Sequence, residues 1–447
     1  MNIIGFQNWG IGLLASLAIL MAGQSAASAA EGDRLPETPD EYVQYALEQN
    51  SELRSLYQRR QARLSEAEAA GAKWPQPTVA YRTFIDGWWL DNHGTRHRVM
   101  FGQRFPWPGV LDQAAEPARK QAEAIEHRFE ARALEVVFEV RRLLVEIARL
   151  DAIEEILVEQ KRVYGDIARI LEGQMGSDTA DYGDLVRINR TEEQLADRID
   201  VVDSKRAQAV AELRGELEVG PEVDLTFDFS GEHDVLAVDE ELAGRAKLVE
   251  RARRNHPSLQ ARRVAAEANV AMAERARLEK YPWPRLMLGV DSIPDHMMLS
   301  GYNRRTALMI DLQVPLPLFQ KQYDQKTEQF EHLREATLAE RDRTSVGLVA
   351  EIDRALTRIA EKRRRLRRYE EELLPLAGDA TEYMRQQIET GGRDVTDYLL
   401  SFQQELDLET NLVEFRAAIA VERARIEKLT GGATEFGIEE AGASDGR

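Results

Sequence analysis

The chain is expected to be mainly α with a small β part: long helices arranged as hairpins, with four short strands set between them. Three observations lead there. Long stretches rich in Ala, Glu, Arg and Leu repeat apolar positions every three or four residues; four Pro-x-Pro pairs punctuate the chain; and the residues between paired prolines alternate with period two.

The helices come first. From Leu111 to about Gly173 only Pro117 interrupts, and Ala118, Ala122, Ile125, Phe129, Ala133, Val136, Val140, Leu144 and Ile147 keep the helical spacing. As one rod this segment is roughly 90 Å long at about 1.5 Å per residue. In the second half Leu366, Tyr369, Leu373, Leu376, Ala380 and Tyr383 hold strict 3,4 spacing, which predicts a coiled-coil stripe. A chain 43% hydrophobic and 31% charged suits solvated helices in thin layers better than one thick core.

The prolines come next. Pro75/Pro77 and Pro106/Pro108 recur as Pro282/Pro284 and Pro315/Pro317, at offsets of 207 and 209. Asp181-Tyr182 matches Asp397-Tyr398, and Gly215 matches Gly431, both at 216. Slowly growing offsets predict an internal two-fold repeat. The expected layout is a signal peptide at 1–30, a first repeat at 31–220, a linker at 221–242, a second repeat at 243–432 and a disordered tail at 433–447. Proline cannot donate a backbone hydrogen bond and pushes its predecessor toward extended conformations, so each pair is a plausible joint between helix and strand.

Between the joints, Val79, Tyr81, Thr83 and Ile85 alternate with Thr78, Ala80, Arg82 and Phe84. Leu286, Leu288 and Val290 alternate with Met287, Gly289 and Asp291, and Leu308, Ile310 and Leu312 with Ala307, Met309 and Asp311. A strand from Arg98 to Phe105 is less regular, because Gln103 interrupts its apolar face. One face of each strand suits lipid and the other water. Four strands cannot close a barrel, and open edges are not tolerated in lipid. Two chains would supply eight strands with a filled lumen; three supply twelve and a conduit.

Residues 1–30 carry no ionisable side chain, and an apolar run from Ile11 to Ala22 precedes small residues at Ala27-Ser28-Ala29, which reads as a cleaved secretory signal. A formal charge of −19 disfavours nucleic acid as a partner. Cysteine is absent, which excludes disulfides and an N-terminal lipid anchor. The chain has no P-loop, Gly-x-Ser-x-Gly elbow or His-Glu-x-x-His pair, so it is not read as an enzyme and no cofactor is expected.

Taken together, these features resemble the TolC-like outer-membrane efflux protein family over nearly all of the mature chain. The more specific elements are Leu374-Pro375-Leu376-Ala377 ahead of Thr390-Gly391-Gly392, then Asp397-Tyr398-Leu399-Leu400, then the closing Leu429-Thr430-Gly431. The resemblance implies a homotrimer with a twelve-stranded β-barrel in outer-membrane lipid and a helical tunnel in the periplasm. Its implied partners are a periplasmic adaptor (membrane fusion protein) and an inner-membrane pump of the resistance-nodulation-division type. Phe105-Pro106-Trp107-Pro108-Gly109 looks like the segment of channels serving heavy-metal (copper/silver or cobalt-zinc-cadmium) pumps, with Val110 where those channels carry Lys. Metal and organic cargo both remain open, as do a type I protein-secretion duct and, outside the channel class, a periplasmic coiled-coil scaffold.

The candidate functional residues fall in three groups. Helical-hairpin tips are expected near Gly173–Asp181 and Thr390–Asp397. Asp397 and Asp181 are candidates for a lumen-facing aperture ring, or else helix caps; Leu400 stands where the family carries a second ring aspartate. Gly176, Asp178, Gly391, Gly392 and Asp394 are candidate adaptor contacts, although Gln174-Met175-Gly176-Ser177 departs from the family's usual turn. Trp88, Trp89, Trp107, Tyr281 and Trp283 flank the strands and suit an aromatic girdle at the bilayer interface. His93, His97, His296, Met297 and Met298 are placed in the loops between strands, as ordinary loop composition and not as a metal site.

Overall fold

A computed structural model of the chain describes residues 36–85, 95–174, 182–238, 243–292, 306–316, 318, 320–389 and 395–432. The signal at 1–30 and the tail at 433–447 lie outside them. Helices α1 (Pro39–Gln49) and α2 (Ser51–Gly71) lead to strands β1 (Thr78–Ile85) and β2 (Thr95–Arg104), then to α3 (Val110–Gln174) and α4 (Tyr182–Leu217). Further along come α5 (Arg245–Asn255), α6 (Pro257–Glu279), β3 (Arg285–Ser292), β4 (Thr306–Gln313), α7 (Lys321–Arg368), α8 (Leu374–Glu389) and α9 (Val395–Thr430). No helix among the described residues is long and apolar enough to cross a membrane.

Local chemistry sets the boundaries. Thr38 starts α1 with a capping box: its side chain accepts from the Glu41 N–H, and the Glu41 carboxylate accepts from the Thr38 N–H at 3.2 Å, with Pro39 at the first position. The third helix runs 65 residues, and Pro117, about two turns in, lies past the first turn, so it removes the bond to the Gln113 carbonyl without ending the helix.

The expected Gly215/Gly431 correspondence does not hold. Gly215 lies inside α4, whereas Gly431 follows α9 in the left-handed region, with φ of 89°. The left-handed residue after α4 is Glu218, with φ of 55°. A side chain is tolerated there because its carboxylate accepts from the Ser51 N–H at 2.7 Å and so caps α2.

The Leu366–Tyr383 stripe is also corrected. A π-turn at Tyr369–Leu373 joins α7 to α8, directly before Pro375. Proline has no N–H and its ring crowds the carbonyl four residues back, that of Glu371, so the widened turn accommodates it. The phase of the apolar face slips there. Leu366 is buried with Phe415 and Ile419, and Tyr369 and Leu374 pack on them, while Leu376 and Tyr383 are exposed.

The chain forms two compact units, each built from segments of both halves. One comprises residues up to 55, 128–259 and from 344 onward. Its core joins α3 and α4 through Val136, Val140, Leu144, Ile147, Leu195 and Leu213, with α1 added through Tyr42. Fully burying each such aliphatic side chain contributes roughly 1.5–3 kcal/mol. The Tyr42 hydroxyl donates to the Thr226 carbonyl at 2.7 Å and its ring stacks on Phe227, so the segment after α4 is a strap laid on α1. Ion pairs link α9 to α3 (Arg149–Glu414, 2.7 Å; Arg141–Glu427) and to α7 (Arg358–Glu422, 2.7 Å). The Glu427 carboxyl is pushed up by burial, against the pull of Arg141 and Arg423.

The second unit comprises 56–127 and 260–343 and contains the sheet. Small residues let its helices approach closely: Ala67 and Ala70 of α2 meet Ala115 and Ala118 of α3. Polar pairs tie the others, Lys120 to Glu267 at 3.0 Å between α3 and α6 and Lys326 to Glu279 at 2.7 Å between α7 and α6.

Candidate functional site: the two-faced sheet and the helical tips

The four strands form one antiparallel sheet in the order β1-β2-β3-β4. Its register sorts the side chains by face. Val79 pairs with Phe101, Phe101 with Leu288 and Leu288 with Ile310; Tyr81 pairs with Val99, Val99 with Val290 and Val290 with Leu308. These two rows form a wholly apolar face, and every member is exposed, from 47% for Leu288 to 78% for Leu308. A patch of this kind marks a surface built for something other than water.

On the opposite face the two central strands, β2 and β3, are largely enclosed. Met100, Met287 and Asp291 are all buried, Asp291 to 1% exposure. Arg98 lies directly opposite Asp291 and donates to its carboxylate at 2.9 Å. Gly289 makes the β2–β3 approach possible: a Cβ there would stand 2.8 Å from the Val99 carbonyl oxygen and 2.8 Å from Met100 Cγ. Because one of those atoms is backbone, Gly289→Ala is expected to force the strands apart and lower the melting temperature. Gly215→Ala, in a helix with open space around it, should instead raise stability by about 1 kcal/mol. Thermal unfolding followed by circular dichroism compares the two.

The strand limits differ from expectation at β2. It begins at Thr95, not Arg98, and so takes His97 out of the inter-strand loop and into the sheet. The His97 ring stacks on Tyr81, with Nδ1 2.8 Å from the Tyr81 hydroxyl. Periodicity misses this because Thr95 and His97 put polar residues where the apolar alternation of Val99 and Phe101 would continue. Gln103, which breaks the same pattern, donates to the Pro75 carbonyl at 2.8 Å and ties the end of β2 to the first proline joint.

Aromatic residues gather at that end. Trp107 is exposed, yet its indole N–H donates to the Pro282 carbonyl at 3.0 Å; Tyr281 is exposed and Trp283 half-buried. Trp74 and Phe105, which the alternation does not mark, are exposed beside the same joints. Trp88, Trp89, His93, His296, Met297 and Met298 lie outside the described residues.

Of the tip residues, Asp181, Gly176, Asp178, Gly391, Gly392 and Asp394 lie outside the described residues, and Asp397 lies within them. Asp397 is exposed in the first turn of α9, two residues past its first residue, where a carboxylate is favoured by the free N–H groups. The turn is anchored by its neighbours: Leu399 is buried and its carbonyl accepts from the Tyr164 hydroxyl at 3.4 Å, and Tyr398 stacks on Phe402. Burial raises the Tyr398 hydroxyl's pKa. On α8, bonds from Arg385 and Gln386 hold the Glu382 carboxyl down to about 2. Leu400 is exposed. No group of three His, Asp or Glu side chains suited to a metal ion occurs among the described residues.

The outer membrane efflux protein family matches the chain over residues 248–432, from within α5 to the end of α9. In fold alone, nearly the whole chain is similar to solved channel structures. The channel CusC superposes with a TM-score of 0.69 at 16% identity, covering 89% of this chain and 92% of its own. The outer-membrane channel OprN gives 0.69 at 15% over 88% and 90%, and the outer membrane protein VceC of Vibrio cholerae 0.66 at 17% over 88% and 96%. No curated protein sequence matches the chain. The efflux-protein segment holds α9 and its Asp397, and also β3 and β4 with the outward Leu288, Val290, Leu308 and Ile310.

Proposed function

We propose that this chain is the outer-membrane exit duct of a tripartite efflux system, working as a homotrimer. Two copies of one helix–strand–strand–helix–helix unit make up each chain, and three four-stranded sheets close into a twelve-stranded barrel. The observation that carries this reading is the sheet, with one face apolar and exposed on all four strands and the other holding all the charged pairs of the sheet, Arg98 and Asp291 among them, with methionine, glycine and alanine between them. Strand β2 has ten residues, so at about 3.4 Å each and a tilt of about 40° it spans roughly 26 Å, close to the apolar band of about 25 Å in such barrels. Trp74, Trp107, Tyr281 and Trp283 suit the lipid interface at one rim.

The helices then form the periplasmic conduit, whose hairpin tips meet an adaptor coupled to a resistance-nodulation-division pump. Residues 1–30 serve as the export signal. The duct itself is passive. Cargo is set by the pump, and heavy-metal cations are the class suggested by Phe105–Gly109.

Mass is the direct test. Detergent-corrected light scattering of the membrane-extracted protein should give three chains; a monomer released without detergent would overturn the duct and favour a periplasmic scaffold. Asp397 is assigned to the aperture, where threefold symmetry would gather three carboxylates into a cation-attracting ring. Asp397→Ala should therefore raise leak or reduce cation preference in planar-bilayer recordings, and unchanged conductance and selectivity would remove that assignment.

A further inference from the structure

We propose that Met100, Met287 and Met309 form a thioether site for a soft monovalent cation, Cu(I) or Ag(I), on the face of the sheet opposite the exposed apolar one. The site rests on reading that face as the wall of the duct. All three methionines fall on this face through the register alone: Gly289 pairs with Met100 on one side and Met309 on the other, and Gly102 pairs with Met287. Met287 is thus the diagonal neighbour of both other methionines, a spacing of about 7–8 Å that long side chains bridge.

Two glycines seat the methionine chains against the sheet. An added Cβ at Gly102 would stand 3.0 Å from Met287 Cγ, and one at Gly289 2.8 Å from Met100 Cγ, so each thioether chain lies across the glycine of the opposite strand. Met100 and Met287 are 4% and 7% exposed and Met309 is half-buried, so Met309 is the most accessible of the three. Asp311, directly opposite Met287, adds negative charge beside the sulfurs. Thioether sulfur is a soft donor that selects Cu(I) and its like over Zn(II) or Mg(II).

The test uses Ag(I) in chloride-free buffer with the full-length, detergent-purified oligomer. Equilibrium dialysis should show the wild type retaining at least one more Ag(I) per chain than the Met100→Leu, Met287→Leu, Met309→Leu triple variant, which conserves volume, while Zn(II) uptake is the same in both. The single Met309→Leu variant, at the most accessible of the three positions, guards against misassembly and should bind Ag(I) about tenfold more weakly or worse. Equal Ag(I) retention by wild type and variants overturns the site. Bilayer conductance separates the two readings: an intact channel with unchanged Ag(I) binding sinks only the site, whereas absence of conductance sinks the duct.

Discussion

Replacing Ile310 with Arg is expected to abolish assembly in the membrane. Ile310 stands in a row with Val79, Phe101 and Leu288, exposed on the apolar face. A guanidinium near the bilayer midplane of such a barrel costs about 2–4 kcal/mol, and a homotrimer carries three copies, so the total of about 6–12 kcal/mol is comparable with the whole stability of a domain. The mirror experiment is Ala307→Arg, on the opposite face and beside Asp291. It should assemble, because its charge meets water and a carboxylate. Membrane fractionation and heat-modifiable migration on gels read both outcomes, and equal behaviour of the two variants would show that the faces are not lipid and lumen.

The second large effect is expected at Asp291. Its carboxylate is buried and bound to Arg98, and Arg82 lies opposite Arg98 on the other side, so two like charges face each other across β1 and β2. Opposed like charges destabilise a strand pair, and Asp291 offsets them. Asp291→Ala should cost about 3–5 kcal/mol, since it removes one member of an enclosed ion pair. Arg98→Met combined with Asp291→Leu should recover much of that loss. The temperature at which the oligomer band collapses measures each variant; strictly additive losses in the double variant would mean the pair is not coupled.

Much of this was legible in the sequence. Three of the four strands show their faces by alternation, because one side is mostly Val, Leu and Ile while the other mixes charged and small residues with methionine. β2 is blurred at both ends for a physical reason: Gln103 serves the Pro75 carbonyl and His97 pairs with Tyr81, so side chains there answer to neighbours and not to the medium. α3 is legible because its apolar spacing is unbroken from Ala118 to Ile147. The slip at Tyr369–Leu373 is hidden, since a π-turn alters phase without altering composition. The Arg98–Asp291 pair, 193 positions apart in the chain, and the methionine cluster depend on cross-strand register, which periodicity within one strand does not encode.

The left-handed residue that ends α4 bears on the order in which the molecule forms. Glu218 reaches back 167 residues to cap α2, and Tyr42 reaches forward 184 residues to the strap at Thr226. Both contacts close a circuit within residues 42–226, with loop-closure entropy of about 4–5 kcal/mol to overcome for a span of that length. Under the export proposed above, with the chain threaded N-terminus first, this circuit can close before the remaining residues arrive. The early-emerging part can therefore settle while the C-terminal part is still in transit, and the sheet, whose β2–β3 seam needs both, is left to close last.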